Sequence, residues 1–284
     1  MMPHAILRLQ PEFLTAIECP YCGSDEKNWH SCNHSDHPFG SAGQLVCQGC
    51  RTVFPVRHGY LDMRGGKNYE QVTPIQHLMQ FRPAVAVYEQ VWRPFGYFLA
   101  SKRSFSEDAR RITALLQRRQ PRLLLDLACG PGVFTRRLAR TAKNSTVIGF
   151  DLSHQMLERA VRLTREDGLR NVLYIRGNAM SLPFRAETFD AVSCCGALQQ
   201  FPDHDQALGE IARVLKVHGD LVCQTILGPR TPPLWVRAAD RLLKFGYFYL
   251  DDLKQRLSHF HFDLVDEDQS RINYIFRAAK SRSD

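Results

Sequence analysis

The 284-residue chain has no run of the roughly 18 apolar residues that a membrane-spanning helix needs. Its first residues, Met1-Met2-Pro3-His4-Ala5-Ile6-Leu7-Arg8, lack the charged, apolar and small-residue regions of a secretory signal. Both absences predict a cytoplasmic protein with reduced thiols. Its nine cysteines are then metal ligands or buried thiols rather than disulfides. Two nucleotide fingerprints are also missing. A Gly-x-Gly-x-x-Gly dinucleotide loop would fall on Ala128, Gly130 and Val133, and two of these are not glycine. No glycine-rich loop ends in Gly-Lys-Ser/Thr, which excludes a phosphate loop. Repeats and low-complexity tracts are absent as well.

Positive charge is scarce where it would matter for an N-terminal nucleic-acid module. Residues 1–64 hold 5 Lys and Arg against 6 Asp and Glu, too few for strong phosphate binding. The net charge of +8 gathers instead in residues 65–120, with 9 against 4. Arg110, Arg111, Arg118 and Arg119 are prominent there, but Glu107 and Asp108 stand close by. That pattern favours a solvated helix face over a nucleic-acid footprint.

What is present is ordinary for a globular protein: 44% hydrophobic and 23% charged residues, enough for one large or two smaller domains. The chain is organised around Leu123-Leu124-Leu125-Asp126-Leu127-Ala128-Cys129-Gly130-Pro131-Gly132-Val133-Phe134. The apolar run reads as a strand buried on both faces, followed by a glycine turn and a helix start. Open α/β sheets bind ligands at such a turn, beyond the carboxyl ends of the strands. Asp126 at the strand end suits a cationic ligand and repels phosphate.

Further strands follow in order. Thr146-Val147-Ile148-Gly149-Phe150-Asp151 ends in an acid able to accept from two ribose hydroxyls. Val172 to Arg176 leads into Gly177-Asn178-Ala179-Met180-Ser181-Leu182-Pro183-Phe184. The stretch from Thr188 to Cys195 is a fourth strand and Leu221 to Ile226 a fifth. Phe262 to Val265 and Asn273 to Ala278 form a final hairpin.

Together these motifs resemble the class I S-adenosylmethionine-dependent methyltransferases over about residues 121–280, in their small-molecule, type 11-like branch. The resemblance implies an α/β fold: a Rossmann-like seven-stranded sheet, last strand antiparallel, with helices on both faces. It implies cofactor contacts from Asp126, Ala128, Cys129, Gly130, Gly132, Asp151, Leu152, Met156, Asn178, Ala179, Met180 and Cys195. Ala128 stands where many members carry glycine, which reads as a mild change, and Asn178 stands where an acid is usual. The Asn178 amide oxygen can still accept from the adenine amine. Many relatives carry histidine where Gln200 lies, and glutamine cannot serve as a general base. His154, His204, Tyr247 and Tyr249 are candidate bases, with none singled out and no catalytic residue assigned. Residues 65–120 are expected to form a helical linker and lid; Tyr88, Trp92 and Phe95 are by the resemblance candidate lid residues, with core packing between the two modules as the alternative. An insertion near 228–250 is expected to cap the substrate.

Residues 1–64 carry Cys19-Pro20-Tyr21-Cys22 and Cys47-Gln48-Gly49-Cys50. Two such knuckles read as a structural four-cysteine zinc ribbon, with no open position for catalysis. The intervening His30, Cys32, His34 and His37 lack a paired knuckle and read as a solvated loop. A ribbon before this kind of core resembles ribosomal RNA guanine methyltransferases, where it helps hold RNA. It also resembles uncharacterised plant plastid and bacterial methyltransferases, which the exit Gly196-Ala197-Leu198-Gln199-Gln200-Phe201-Pro202-Asp203 matches better. The resemblance therefore implies direct in-line methyl transfer to a small organic acceptor of quinol, isoprenoid or other secondary-metabolite type. Ribosomal RNA is the alternative acceptor, and a non-catalytic zinc-ribbon scaffold is the lesser alternative. Oligomeric state is not legible.

Overall fold

The computed structural model describes residues 11–24, 29–32, 42–64, 101–228 and 247–282. The N-terminal strands are β1 (Trp29–Cys32), β2 (Ala42–Cys47), β3 (Val53–Arg57) and β4 (Tyr60–Asp62). The central strands are β5 (Leu123–Leu127), β6 (Thr146–Asp151), β7 (Val172–Arg176) and β8 (Phe189–Cys195). Then come β9 (Leu215–Ile226), β10 (Phe262–Ser270) and β11 (Asn273–Lys280). Among the described residues the helices are α1 (Pro11–Ala16), α2 (Phe105–Gln117), α3 (Val133–Thr141), α4 (His154–Glu166), α5 (His204–Val214) and α6 (Leu250–His259).

The seven expected strands lie side by side in the order β7-β6-β5-β8-β9-β11-β10. Only β11 runs against its neighbours. The sheet does not stop at β7, however, and this corrects the expectation of seven strands plus a separate ribbon. β4 pairs parallel with β7, Leu61 beside Ile175 and Asp62 beside Arg176. β3, β2 and β1 continue from there, so one sheet of eleven strands spans the described residues. The physical reason is that β7 would otherwise present an unpaired edge, and the N-terminal hairpin satisfies it.

Consecutive residues of the buried strands point to opposite faces. Leu124, Val147 and Val222 pack with Ile112, Leu138 and Leu157 from α2, α3 and α4. Leu125, Ile148 and Leu221 pack on the other face with Ile211 and Leu253 from α5 and α6. Phe13, Ile17, Phe54 and Leu61 of the N-terminal module lie in that same cluster.

Three of these helices, α2, α4 and α5, start at side-chain caps. Ser104 caps α2, its hydroxyl oxygen accepting from the Glu107 amide at 3.2 Å. Ser153 caps α4 and Asp203 caps α5. β9 begins at Leu215 rather than Leu221, and its pairing with β8 jumps register between Phe189 and Ala191. His218, at φ 65°, lies within that irregular first part. The lid candidates Tyr88, Trp92 and Phe95 lie outside the described residues, as does most of the insertion near 228–250. Its end returns to the sheet, where the Gly228 amide donates to the Phe248 carbonyl at 2.9 Å.

Candidate cofactor site and cysteine cluster

β5 neighbours β6 on one side and β8 on the other, so the strand order reverses at β5. The loop leaving β5 turns through three left-handed residues, Ala128 (φ 53°), Gly130 (φ 55°) and Gly132 (φ 74°). Its backbone is tied to β6: the Cys129 amide donates to the Phe150 carbonyl at 3.0 Å, and the Gly130 amide to Asp151 Oδ2 at 2.8 Å. A Cβ on Gly132 would lie 2.4 Å from Tyr174 Oη, so that position admits no side chain. A Cβ on Gly130 would meet nothing within 4 Å, which leaves open space beside the loop.

The two acids differ in placement. Asp126 is buried beneath the loop, where Oδ1 accepts from Ser193 Oγ at 2.7 Å and Oδ2 from Thr135 Oγ1 at 2.5 Å. It thereby clamps β5 to β8 and to α3. The sequence reading aimed this carboxylate at a cationic ligand; the structure spends both oxygens on hydroxyls. Thr135 and Ser193 were not anticipated, because a hydroxyl on a buried face carries no pattern of its own. Asp151 is half-buried at the end of β6, with Oδ1 accepting from the Ser153 amide at 2.8 Å. Burial raises its pKa above the usual carboxylate value, against the pull of the Ser153 and Gly130 amides. A carboxylate offers about four acceptor sites, so Asp151 keeps capacity for further donors.

The remaining expected residues come to the same carboxyl edge. Leu152 is half-buried after Asp151, and Met156 is buried in the first turn of α4. Asn178 follows β7, and its Oδ1 accepts from the Met180 amide at 3.0 Å, which folds its loop on itself. Ala179 is half-buried and Met180 buried. Cys195 ends β8 half-buried, next to Gly196, whose amide donates to the Gln224 carbonyl at 2.7 Å. Gln200 Nε2 donates to the Gly196 carbonyl at 3.0 Å, so this side chain braces the β8 exit. Of the candidate bases, His154 is turned to Tyr60 and Glu158. His204 is half-buried against Phe248, ring centroids 4.5 Å apart, and burial lowers its pKa.

On the far edge of the sheet the Sγ atoms of Cys19, Cys22, Cys47 and Cys50 lie within 4.8 Å of one another. Cys19 and Cys50 are 3.5 Å apart and Cys22 and Cys47 3.6 Å. A tetrahedral zinc with Zn–S of about 2.3 Å requires sulfur separations of about 3.8 Å, so the donor set fits. Tight turns shape each knuckle: the Gly23 amide donates to the Cys19 carbonyl at 2.9 Å and Arg51 to Cys47 at 2.8 Å. Burial pushes the Cys19 thiol up to about 12, whereas the Thr52 hydroxyl draws Cys50 down to about 6. His30 and Cys32 fall on β1, opposite Val46 and Gln44, and His34 and His37 lie outside the described residues.

The basic segment is partly neutralised. Arg111 pairs with Asp266 at 3.0 Å and also with Asp268, while Arg103 reaches Asp268 at 2.5 Å and Arg119 reaches Asp220 at 3.4 Å.

Residues 124–219 match a family model described as a methyltransferase domain. An uncharacterized chloroplastic methyltransferase of Arabidopsis thaliana is 30% identical over 223 residues, covering 73% of this chain and 62% of that protein. A demethylmenaquinone methyltransferase of Lactococcus lactis is 39% identical over 122 residues, 43% of this chain and 48% of that one. The chain thus spans about three fifths or less of the length of these relatives. Among solved structures, a phosphoethanolamine N-methyltransferase of Haemonchus contortus with bound S-adenosyl-L-methionine superposes with a TM-score of 0.61. It is 16% identical and covers 75% of this chain and 61% of its own, a likeness of fold. Among the described residues no helix is long and apolar enough to cross a membrane.

Proposed function

We propose that the chain is an S-adenosylmethionine-dependent methyltransferase acting on a small organic acceptor of quinol or isoprenoid type. The observation that carries this is the open space beside Gly130, bounded by Asp151, at the point where the strand order reverses. When bound, the cofactor supplies an electrophilic methyl group on a sulfonium. In this reading Asp151 holds the ribose hydroxyls. The backbone from Ala128 to Gly132 lets the methionine portion approach, with Asp126 fixing the loop from below. Leu152, Met156, Asn178, Ala179 and Met180 enclose the adenine, and Cys195 faces the reacting end. Orientation and exclusion of water are what this chain would contribute to the rate.

The quinol assignment draws on the demethylmenaquinone relatives. The cysteine cluster is read as a structural zinc site. It is also the observation that favours ribosomal RNA as second acceptor, against which stand the near-neutral ribbon and the paired arginines.

Calorimetric titration with S-adenosylmethionine tests the reading, with Asp151→Ala as control. Micromolar binding that Asp151→Ala abolishes is expected, followed by methyl transfer to quinols and not to ribosomal RNA. A folded, zinc-loaded wild type that fails to bind would remove the enzyme reading and leave the scaffold reading. Transfer to RNA alone would reverse the order of acceptors.

A further inference from the structure

We propose that His58, His154 and Glu158 form a second metal site, for a divalent transition ion, at the seam between the N-terminal strands and α4. His58 lies in the β3–β4 turn, and His154 and Glu158 lie one turn apart on α4. Their donor atoms all fall within 4.8 Å of one another. Glu158 Oε1 is 3.4 Å from His58 Nε2 and 3.3 Å from His154 Nε2. A tetrahedral ion bound to N and O at about 2.0–2.1 Å sets its ligands about 3.3–3.4 Å apart. The two spacings are therefore those of adjacent ligands around one ion.

The surroundings support a built site. Tyr60, fully buried, hydrogen-bonds His154 Nδ1 through its hydroxyl, which leaves Nε2 to face Glu158. An oxygen partner on the second ring nitrogen is the usual support of a metal-binding histidine. His58 and Gly59 form the two-residue turn, with φ 52° and φ 90°. Such turns favour asparagine or aspartate before glycine, so turn chemistry alone does not call for histidine. The nearby Arg176 guanidinium is matched by Asp62 at 3.2 Å, which limits its repulsion of a cation.

Two imidazoles and one carboxylate suit zinc, cobalt or nickel better than magnesium or calcium. Three protein ligands leave a position for water, and the His58 side chain, 63% exposed, leaves the site accessible. A bound ion would latch the turn to α4. The competing account is a carboxylate shared between two imidazoles with no ion, and metal uptake separates the two.

The 284-residue chain holding one equivalent of zinc is titrated with Co²⁺, followed by calorimetry and visible absorption. One further equivalent is expected, with a cobalt spectrum free of thiolate charge transfer and a raised thermal midpoint. His58→Ala and Glu158→Gln should each weaken that uptake at least tenfold while keeping the first zinc, which reports that the fold survives. His218→Ala, an exposed histidine elsewhere, should leave it unchanged. No second equivalent in the wild type overturns the proposal. So does uptake that persists in both variants or falls equally in His218→Ala.

Discussion

The Gly130 amide donates to Asp151 Oδ2 at 2.8 Å, which makes the loop after β5 and the acid ending β6 a single unit. That unit has a cost. Burial raises the folded-state pKa of Asp151 above its ordinary 3.8. A carboxyl raised on folding gives stability that is fully present below 3.8 and lost as pH rises through the folded value. Asp151→Asn, which does not ionise, should therefore be more stable than wild type near neutrality, and the gap should close as the pH approaches 3.8. Denaturant melts across this range measure it. A gap that widens on acidification would contradict the sign.

Ala128 at φ 53° sits where the family's loop usually has glycine. The sequence reading treats this as a mild change, but the conformation makes it a strained one. A left-handed L-residue costs roughly 1–2 kcal/mol, while glycine adds roughly 0.4–1 kcal/mol of unfolded-state entropy. Ala128→Gly should then stabilise the fold by up to about 1.6 kcal/mol. Equilibrium unfolding of the two proteins decides it, and a less stable glycine variant would show that the strain is relieved locally.

The cysteine cluster makes a prediction about where unfolding begins. Cys19 and Cys47 are buried in the same hydrophobic cluster as Phe150 and Ile175, while Cys22 and Cys50 are exposed. A metal that binds only the folded state stabilises it by about 4 kcal/mol when free metal exceeds Kd about a thousandfold. Chelation, or Cys47→Ser, should remove roughly one equivalent of zinc and lower stability by up to that order. Amide exchange should rise first in β1, β2 and β3. Uniform exchange across the sheet would mean that the module does not open separately.

Much of the sheet was legible because its strands are apolar runs with acids at their ends. Thr146 to Asp151 begins and ends as read, the strand from Leu123 runs one residue past the acid expected to end it, and the order of motifs carried the topology. The joining of β4 to β7 was not legible, since Tyr60-Leu61-Asp62 is three residues long and shows no partner preference. The burial of Asp126 was hidden for a similar reason. A carboxylate at a strand end reads the same whether it faces a ligand or two hydroxyls. The early start of β9 was masked by Lys216-Val217-His218-Gly219, which resembles a turn but bulges within the strand instead.

That seam carries its own charge. Asp62 is nearly buried at the end of β4, where its carboxylate accepts from Arg64 at 3.2 Å and from Arg176 at 3.2 Å. Burial opposes the ionised form, but the Arg64 hydrogen bonds and the two guanidinium charges outweigh it and hold the pKa below 3.8. A carboxyl lowered on folding gives stability that is present above 3.8 and lost as pH falls through the folded value. Asp62→Asn leaves two guanidinium groups without their counter-charge, and a charged hydrogen bond lost in such a place costs about 1.5–3 kcal/mol. The variant should be destabilised by that order at neutral pH and should converge on wild type in acid. Because Asp62 ends β4 beside Arg176 at the end of β7, the loss should also raise exchange at the Met63 amide, which donates to the Arg176 carbonyl at 2.9 Å. Destabilisation without that local exchange would place the effect of Asp62 outside the strand pairing.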